Sequence, residues 1–151
     1  MAGLTQALCT SFKVEILTAT HNFTASTGNT FKIALFKANA SIVGTYGAAT
    51  TNYSDMTGNS DETSGTGYSA GGNTLTSVTP TSSGTTAMCD FSDSTWSSAS
   101  ITSRGALIYN SSASNKAVAV LDFGADKTAS AGDFTIQFPA VAASTAILRI
   151  G

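Results

Sequence analysis

Residues able to carry acid–base, nucleophilic or metal chemistry are few: one histidine, two cysteines and nine carboxylates in 151 positions. A Ser-His-Asp relay needs its imidazole held beside a nucleophile. His21 sits instead in the polar run Ala-Thr-His-Asn-Phe-Thr, where a solvated or capping role is expected. Zinc needs three or four His, Cys or carboxylate ligands, and no cluster in the sequence offers them. Cys9 and Cys89 have no metal-type spacing. Two buried thiols are expected, and a bridge between them cannot be deduced from sequence. Glycoside hydrolysis needs two carboxylates facing each other across a cleft. Most acids here are singletons near turns (Asp55, Asp90, Asp93, Asp126, Asp133), and the only Glu residues are Glu15 and Glu62.

Three weaker patterns complete the search. Asp122-Phe-Gly-Ala-Asp126, with Asp133 beyond it, could gather carboxylates and carbonyls around Ca²⁺. The spacing does not match an EF-hand loop, and Asp and Gly are the ordinary residues of hairpin ends, so a turn is expected. Gly65-Thr-Gly-Tyr-Ser-Ala-Gly-Gly lacks the terminal Lys-Ser/Thr and the following helix of a phosphate loop. Trp96, Tyr68 and Tyr109 could line a sugar-binding face, although such aromatics more often serve a core or an interface. No residue is therefore assigned a catalytic, cofactor-binding or metal-ligating role, and the chain is not expected to be an enzyme.

The elements that would position these residues read mostly as strands. The exception is Leu4 to Leu17, where Leu4, Leu8, Phe12 and Ile16 recur every four residues. That spacing predicts an N-terminal helix or arm over 4–17 with one apolar stripe. The stripe needs cover, from the chain's own sheet or from a neighbouring subunit. Thr30–Lys37 alternates Phe31, Ile33 and Leu35 against Lys32, Ala34 and Phe36. Phe36 on the second face predicts a central, sandwiched strand.

Residues 38–73 are a long segment rich in Gly, Ser and Thr, with Tyr46, Tyr53 and Tyr68 as isolated anchors. So long a loop in a compact domain is uncommon. It is either a functional surface segment or it hides a short helix or strand. Strands are then predicted at Leu75–Thr79 (closed by Pro80), Thr85–Phe91, Trp96–Thr102, Arg104–Asn110, Lys116–Phe123, Asp133–Phe138 and Thr145–Ile150. A turn is expected over 124–132. Eight strands without helical crossovers predict one all-β domain over 1–151, an antiparallel β-sandwich or jelly roll.

Composition removes whole classes of function. Charged residues make up 11% of the chain and the net charge is −2. The seven Lys and Arg are scattered singly, which excludes an electrostatic nucleic-acid binder and a polybasic membrane-surface protein. No apolar run approaches the ~20 residues of a membrane span. The first ten residues show no secretory-signal pattern. The 21 Ser and 24 Thr suit pleated surfaces that face water without charge.

Several stretches occur in an order that resembles a family of small structural proteins of tailed bacteriophages. They are Asn22-Phe-Thr, Asn29-Thr-Phe-Lys-Ile-Ala-Leu-Phe, Gly65-Thr-Gly-Tyr-Ser-Ala-Gly-Gly-Asn-Thr-Leu, Asp90-Phe with Thr95-Trp96, and Arg104-Gly-Ala-Leu-Ile-Tyr-Asn. Ala119-Val-Leu-Asp-Phe-Gly, Gly132-Asp-Phe-Thr-Ile-Gln-Phe-Pro and Ala146-Ile-Leu-Arg-Ile follow. The resemblance runs from about residue 12 to the end. It implies a virion protein made in the bacterial host cytoplasm. By size and fold class it is similar to capsid decoration (cement) proteins on the phage head surface. The partners then expected are the major capsid protein and further copies of the chain, a trimer rather than a dimer, with no nucleic acid, membrane or cofactor. Leu4, Leu8, Phe12, Ile16, Tyr46, Tyr53 and Tyr68 are the expected interaction residues. The alternative is a tail, neck or fibre component, or a surface module that binds glycans or a receptor.

Overall fold

The computed structural model describes residues 3–38 and 44–151. The protein is mostly β, with 49% strand and 10% helix in two antiparallel sheets and two short helices, an arrangement consistent with a β-sandwich. The larger sheet holds β1 (Ala7–Leu8), β2 (Phe31–Lys37), β3 (Asn73–Thr74), β6 (Ser94–Asn110) and β7 (Lys116–Ile136), in the order β1-β7-β6-β2-β3. The smaller holds β4 (Ser77–Ser83), β5 (Thr86–Phe91) and β8 (Leu148–Ile150), in the order β4-β5-β8. The helices are α1 (Thr10–Leu17) and α2 (Tyr53–Gly58). Among the described residues no helix is long and apolar enough to cross a membrane.

Strand β2 shows how the sequence builds this. Its alternating side chains are buried on both faces, with Phe31, Ile33, Ala34, Leu35 and Phe36 all fully buried. One face meets the small sheet, where the Phe31 ring lies 5.7 Å from Phe91 of β5. The other meets the segment after β2, where Phe36 lies 4.4 Å from Tyr46. A strand covered on both sides has no reason to alternate apolar with polar residues. The run Ala117–Val120 of β7 is buried for the same reason.

Strands β6 and β7 form one long hairpin. The expected pairs of strands at 96–102 and 104–110, and at 116–123 and 133–138, are each one continuous element interrupted by bulges. The largest bulge replaces the expected turn at 124–132. Gly105 faces Asp122 and Ser103 faces Lys127, so β7 loops out three surplus residues. Gly124 there adopts φ +74°, a conformation cheap only for glycine. Turn-forming residues had two outlets, a reversal or a bulge, and the cross-strand partners on β6 selected the bulge.

Three other expectations change. The helix spans Thr10–Leu17, not 4–17. Ahead of it the chain is extended: Leu8 pairs with Ala119 on β7, and Leu4 bridges Tyr46. A spacing of four is also an even spacing, so Leu4 and Leu8 share one face of an extended chain as readily as one face of a helix. Second, β4 runs through Pro80. It is an edge strand, and its register slips between Val78 and Thr81. An edge and a bulge are the places where the missing N–H of proline does no damage. Third, the long segment does hide structure, although its residues 39–43 lie outside the described part. Asn52 caps α2 by accepting from Ser54 N (3.0 Å), while Asp55 reaches back to Asn52 N (3.3 Å). Residues 61–63 then lie along β2, with Thr63 N donating to Leu35 O at 2.7 Å. The last expected strand, Thr145–Ile150, shortens to β8.

Candidate interaction surface

The three expected tyrosine anchors turn inward, and two adjacent carboxylates receive them. Tyr46, 2% exposed, donates its hydroxyl to Asp61 Oδ2 at 2.6 Å. Tyr53 donates to Glu62 Oε2 at 2.6 Å and Tyr68 to Glu62 Oε1 at 2.8 Å. Glu62 Oε1 also accepts from Gly71 N (2.7 Å), and the Tyr68 oxygen accepts from Leu35 N (3.0 Å). Burial, reinforced by these carboxylates, pushes all three phenols above their ordinary value. They stay neutral donors at any physiological pH and pin 44–73 to the sheet. Asp61 and Glu62 were not singled out in the sequence, because their role depends on three tyrosines that only the fold brings together.

The aromatic residues that could have faced a sugar are also internal. Trp96 is 3% and Tyr109 2% exposed. The Trp96 ring lies 5.9 Å from Tyr68 and the Tyr109 ring 4.7 Å from Tyr53. The carboxylates of the candidate Ca²⁺ turn are held by protein. Asp122 Oδ1 accepts from Gly124 N (2.8 Å) and Arg104 Nε (3.3 Å), and Asp133 Oδ1 accepts from Ser98 N (3.2 Å). Among the described residues no group of three His, Cys, Asp or Glu is placed to hold a metal ion.

Gly67-Tyr68-Ser69-Ala70-Gly71 has the Gly-x-Ser-x-Gly form of a nucleophile elbow, a match the sequence reading missed. That motif needs a strand before it and a helix after it. Ser69 lies in an exposed turn that closes through Gly72 N to Ser69 O (3.0 Å) and leads into β3.

The apolar stripe leads to a different place. Phe12 is buried at 2% exposure, while Leu4, Leu8 and Ile16 are half-buried against the core. Beyond them α1 and the small sheet do not close. A cleft of about 510 Å³ separates them, walled by Phe12, Ile16 and Leu17 on one side and by Cys89, Leu148 and Ile150 on the other. Leu17 is 87% and Ile150 61% exposed at its mouth. The residues of β8 that complete this wall were legible only as a strand face, since nothing in sequence says which helix lies opposite.

His21 lies in the same cleft with its side chain fully buried. Ser112 N donates to Asn110 Oδ1 (3.0 Å), which orients the Asn110 amide so that its Nδ2 donates to His21 Nδ1 (3.0 Å). Nε2 therefore carries the proton and donates to Glu15 Oε2 (2.8 Å). Lys116 Nζ pairs with the other Glu15 oxygen at 2.7 Å. Partial burial pushes the Glu15 carboxyl up, but the hydrogen bonds from Lys116 and His21 outweigh it and hold it below its ordinary value. Both imidazole nitrogens are engaged, so the ring braces α1 against the hairpin. Cys89 faces the cleft as a neutral thiol, pushed up to about 12 by burial and by nearby Asp90. Cys9 is likewise buried, pushed up to about 11, and both cysteines are free.

No family model, no curated protein and no solved structure matches the chain.

Proposed function

We propose that this chain is a structural virion protein of a tailed phage. It binds the outer surface of the head as a decoration protein and bridges neighbouring capsid subunits. The finer reading of its fold is a jelly-roll β-sandwich. The observation that carries the proposal is the open apolar cleft beside α1, with Leu17 and Ile150 exposed at its mouth. Elsewhere the side chains that sequence marked for contact are tied into the scaffold. An assembly protein needs that combination, a stiff body and one uncovered apolar seam. The ordered resemblance to small phage structural proteins points the same way. Free buried thiols suit a protein made in a reducing cytoplasm. A homotrimer at three-fold positions is the expected assembly, because shells place such proteins on closed symmetry.

Counting copies tests this reading. Quantitative mass spectrometry of purified particles should find the chain at a level comparable to the major capsid protein. A dozen copies would move it to the tail or neck, and its absence from particles would remove the reading.

A further inference from the structure

We propose that the cleft between α1 and the small sheet is a docking site for an extended, apolar segment of a partner protein that carries carboxylates. The segment joins the open edge of β8. The inference rests on the reading of the chain as an assembly protein and supplies the chemistry of its partner.

Three features define the occupant. Among the described residues, the order β4-β5-β8 leaves the outer edge of β8 without a partner strand. β8 is held in register on its inner edge by Ala87, Met88 and Cys89, which face Ile150, Arg149 and Leu148. An added strand would find its hydrogen-bonding groups already aligned, the main-chain route to peptide capture. Next, the walls beside that edge are apolar, so alternate side chains of the added strand can enter the cleft while the others point outward. Finally, the charged side chains are one-sided. Lys13 and Arg149 line the cleft and, among the described residues, no Asp or Glu side chain does, in a chain whose net charge is −2. Glu15 of the same helix is occupied by His21 and Lys116. Arg149 spends one donor on Ala143 O (3.2 Å), which leaves the rest of its guanidinium for an incoming carboxylate.

Charge also argues against a second copy as the occupant. An antiparallel β8–β8 pair centred on Arg149 would set guanidinium against guanidinium, and like charges directly opposite destabilise a pair of strands.

The test uses the full chain and synthetic peptides followed by fluorescence anisotropy. One peptide alternates Val with Glu over eight residues, a second alternates Val with Lys, and dodecanoate serves as a competitor. The Glu peptide should bind, and the Lys peptide should bind about tenfold more weakly or worse. The double reversal K13E/R149E should invert that order. Leu17→Asp should abolish binding; Leu17 is exposed, so an unchanged circular dichroism spectrum separates loss of docking from loss of fold. Binding without charge preference, or no binding at about 1 mM peptide, overturns the proposal. Dodecanoate binding without peptide binding reassigns the cleft to a small amphiphile. Concentration-dependent self-association abolished by Leu17→Asp reassigns it to a second copy. Each of these outcomes can coexist with abundant copies on the particle, so the docking proposal can fail while the assembly reading stands.

Discussion

Glu15 joins α1 both to the connector that follows it and to a strand 101 residues further along the chain. Its two oxygens tie α1 to the start of β7 through Lys116 and to the connector through His21, at 2.7 and 2.8 Å. Removing the charge while keeping the shape, as Glu15→Gln does, weakens two charge-assisted hydrogen bonds to a side chain that is 14% exposed. A loss of about 2 kcal/mol at pH 7 is expected, read as a lower urea midpoint at unchanged slope. The pH dependence has a definite sign. The folded carboxyl lies below its ordinary 4.5, so its contribution is complete above that value and is lost as pH falls through the lowered one. Wild type and variant should therefore converge in acid. Equal midpoints at pH 7 would reduce the network to a surface pair. The thiols give the opposite limb. Cys9 and Cys89 are held protonated well above 9.0, so the stability they lend is intact below that pH and drains away between 9.0 and their raised values. A thiol reagent at pH 8 should leave the native protein unlabelled and modify both cysteines in urea.

Among the elements, the β6–β7 hairpin carries two regimes on one ladder. Near its tight end, Leu107, Ile108, Val118 and Val120 are fully buried. In the bulge and just past it, β7 residues Gly124–Thr128 are exposed. Amide exchange should follow that gradient, with the tight end opening only by global unfolding and the outer half by local opening. Uniform protection along the hairpin would contradict it. Gly72 tests the other edge of the sheet. It adopts φ +67°, and a Cβ there would strike the Ile33 carbonyl oxygen. Gly72→Ala should cost at least about 2 kcal/mol, whereas Gly84→Ala meets nothing within 4 Å and carries only the cost of its positive φ. The same elements show what sequence could and could not reveal. Burial on both faces was readable at Phe31–Phe36, because Phe36 puts a large apolar side chain on the face opposite Phe31, Ile33 and Leu35, and it holds again along the apolar run Ala117–Val120. Bulge against turn was not readable at 124–132, since Gly-Ala-Asp satisfies either and the choice belongs to β6. Leu4 and Leu8 failed as helix signals because their spacing serves both periods. Half of the cleft, the α1 wall, was visible as a stripe. The other half required knowing that β8 returns beneath it.

On the scale of the whole molecule, the question is whether two sheets of unequal size behave as one cooperative body. Their junction is aromatic. Phe23 stacks on Phe31 at 4.3 Å and 6°, Phe31 meets Phe91 at 5.7 Å, and Phe91 meets Phe138 at 5.8 Å. Phe91 is the one contribution of the small sheet's β5 to this stack, so it bears most of the coupling there. Truncation of a buried Phe to Ala costs about 3–5 kcal/mol, against a typical total of about 5–15 kcal/mol. In Phe91→Ala the small sheet should therefore loosen before the large one. Each sheet carries its own reporter: Trp96 on β6 and Cys89 on β5. With Cys9 replaced by Ala, thiol labelling reads the small sheet alone, and tryptophan fluorescence reads the large one. In the parent both should change at one urea concentration. In Phe91→Ala labelling should precede the fluorescence change, and the cleft, whose floor is β5 and β8, should lose its shape in the same interval. Coincident transitions in the variant would mean that contacts other than the ring stack couple the sheets, and the cleft would then be a property of the entire fold.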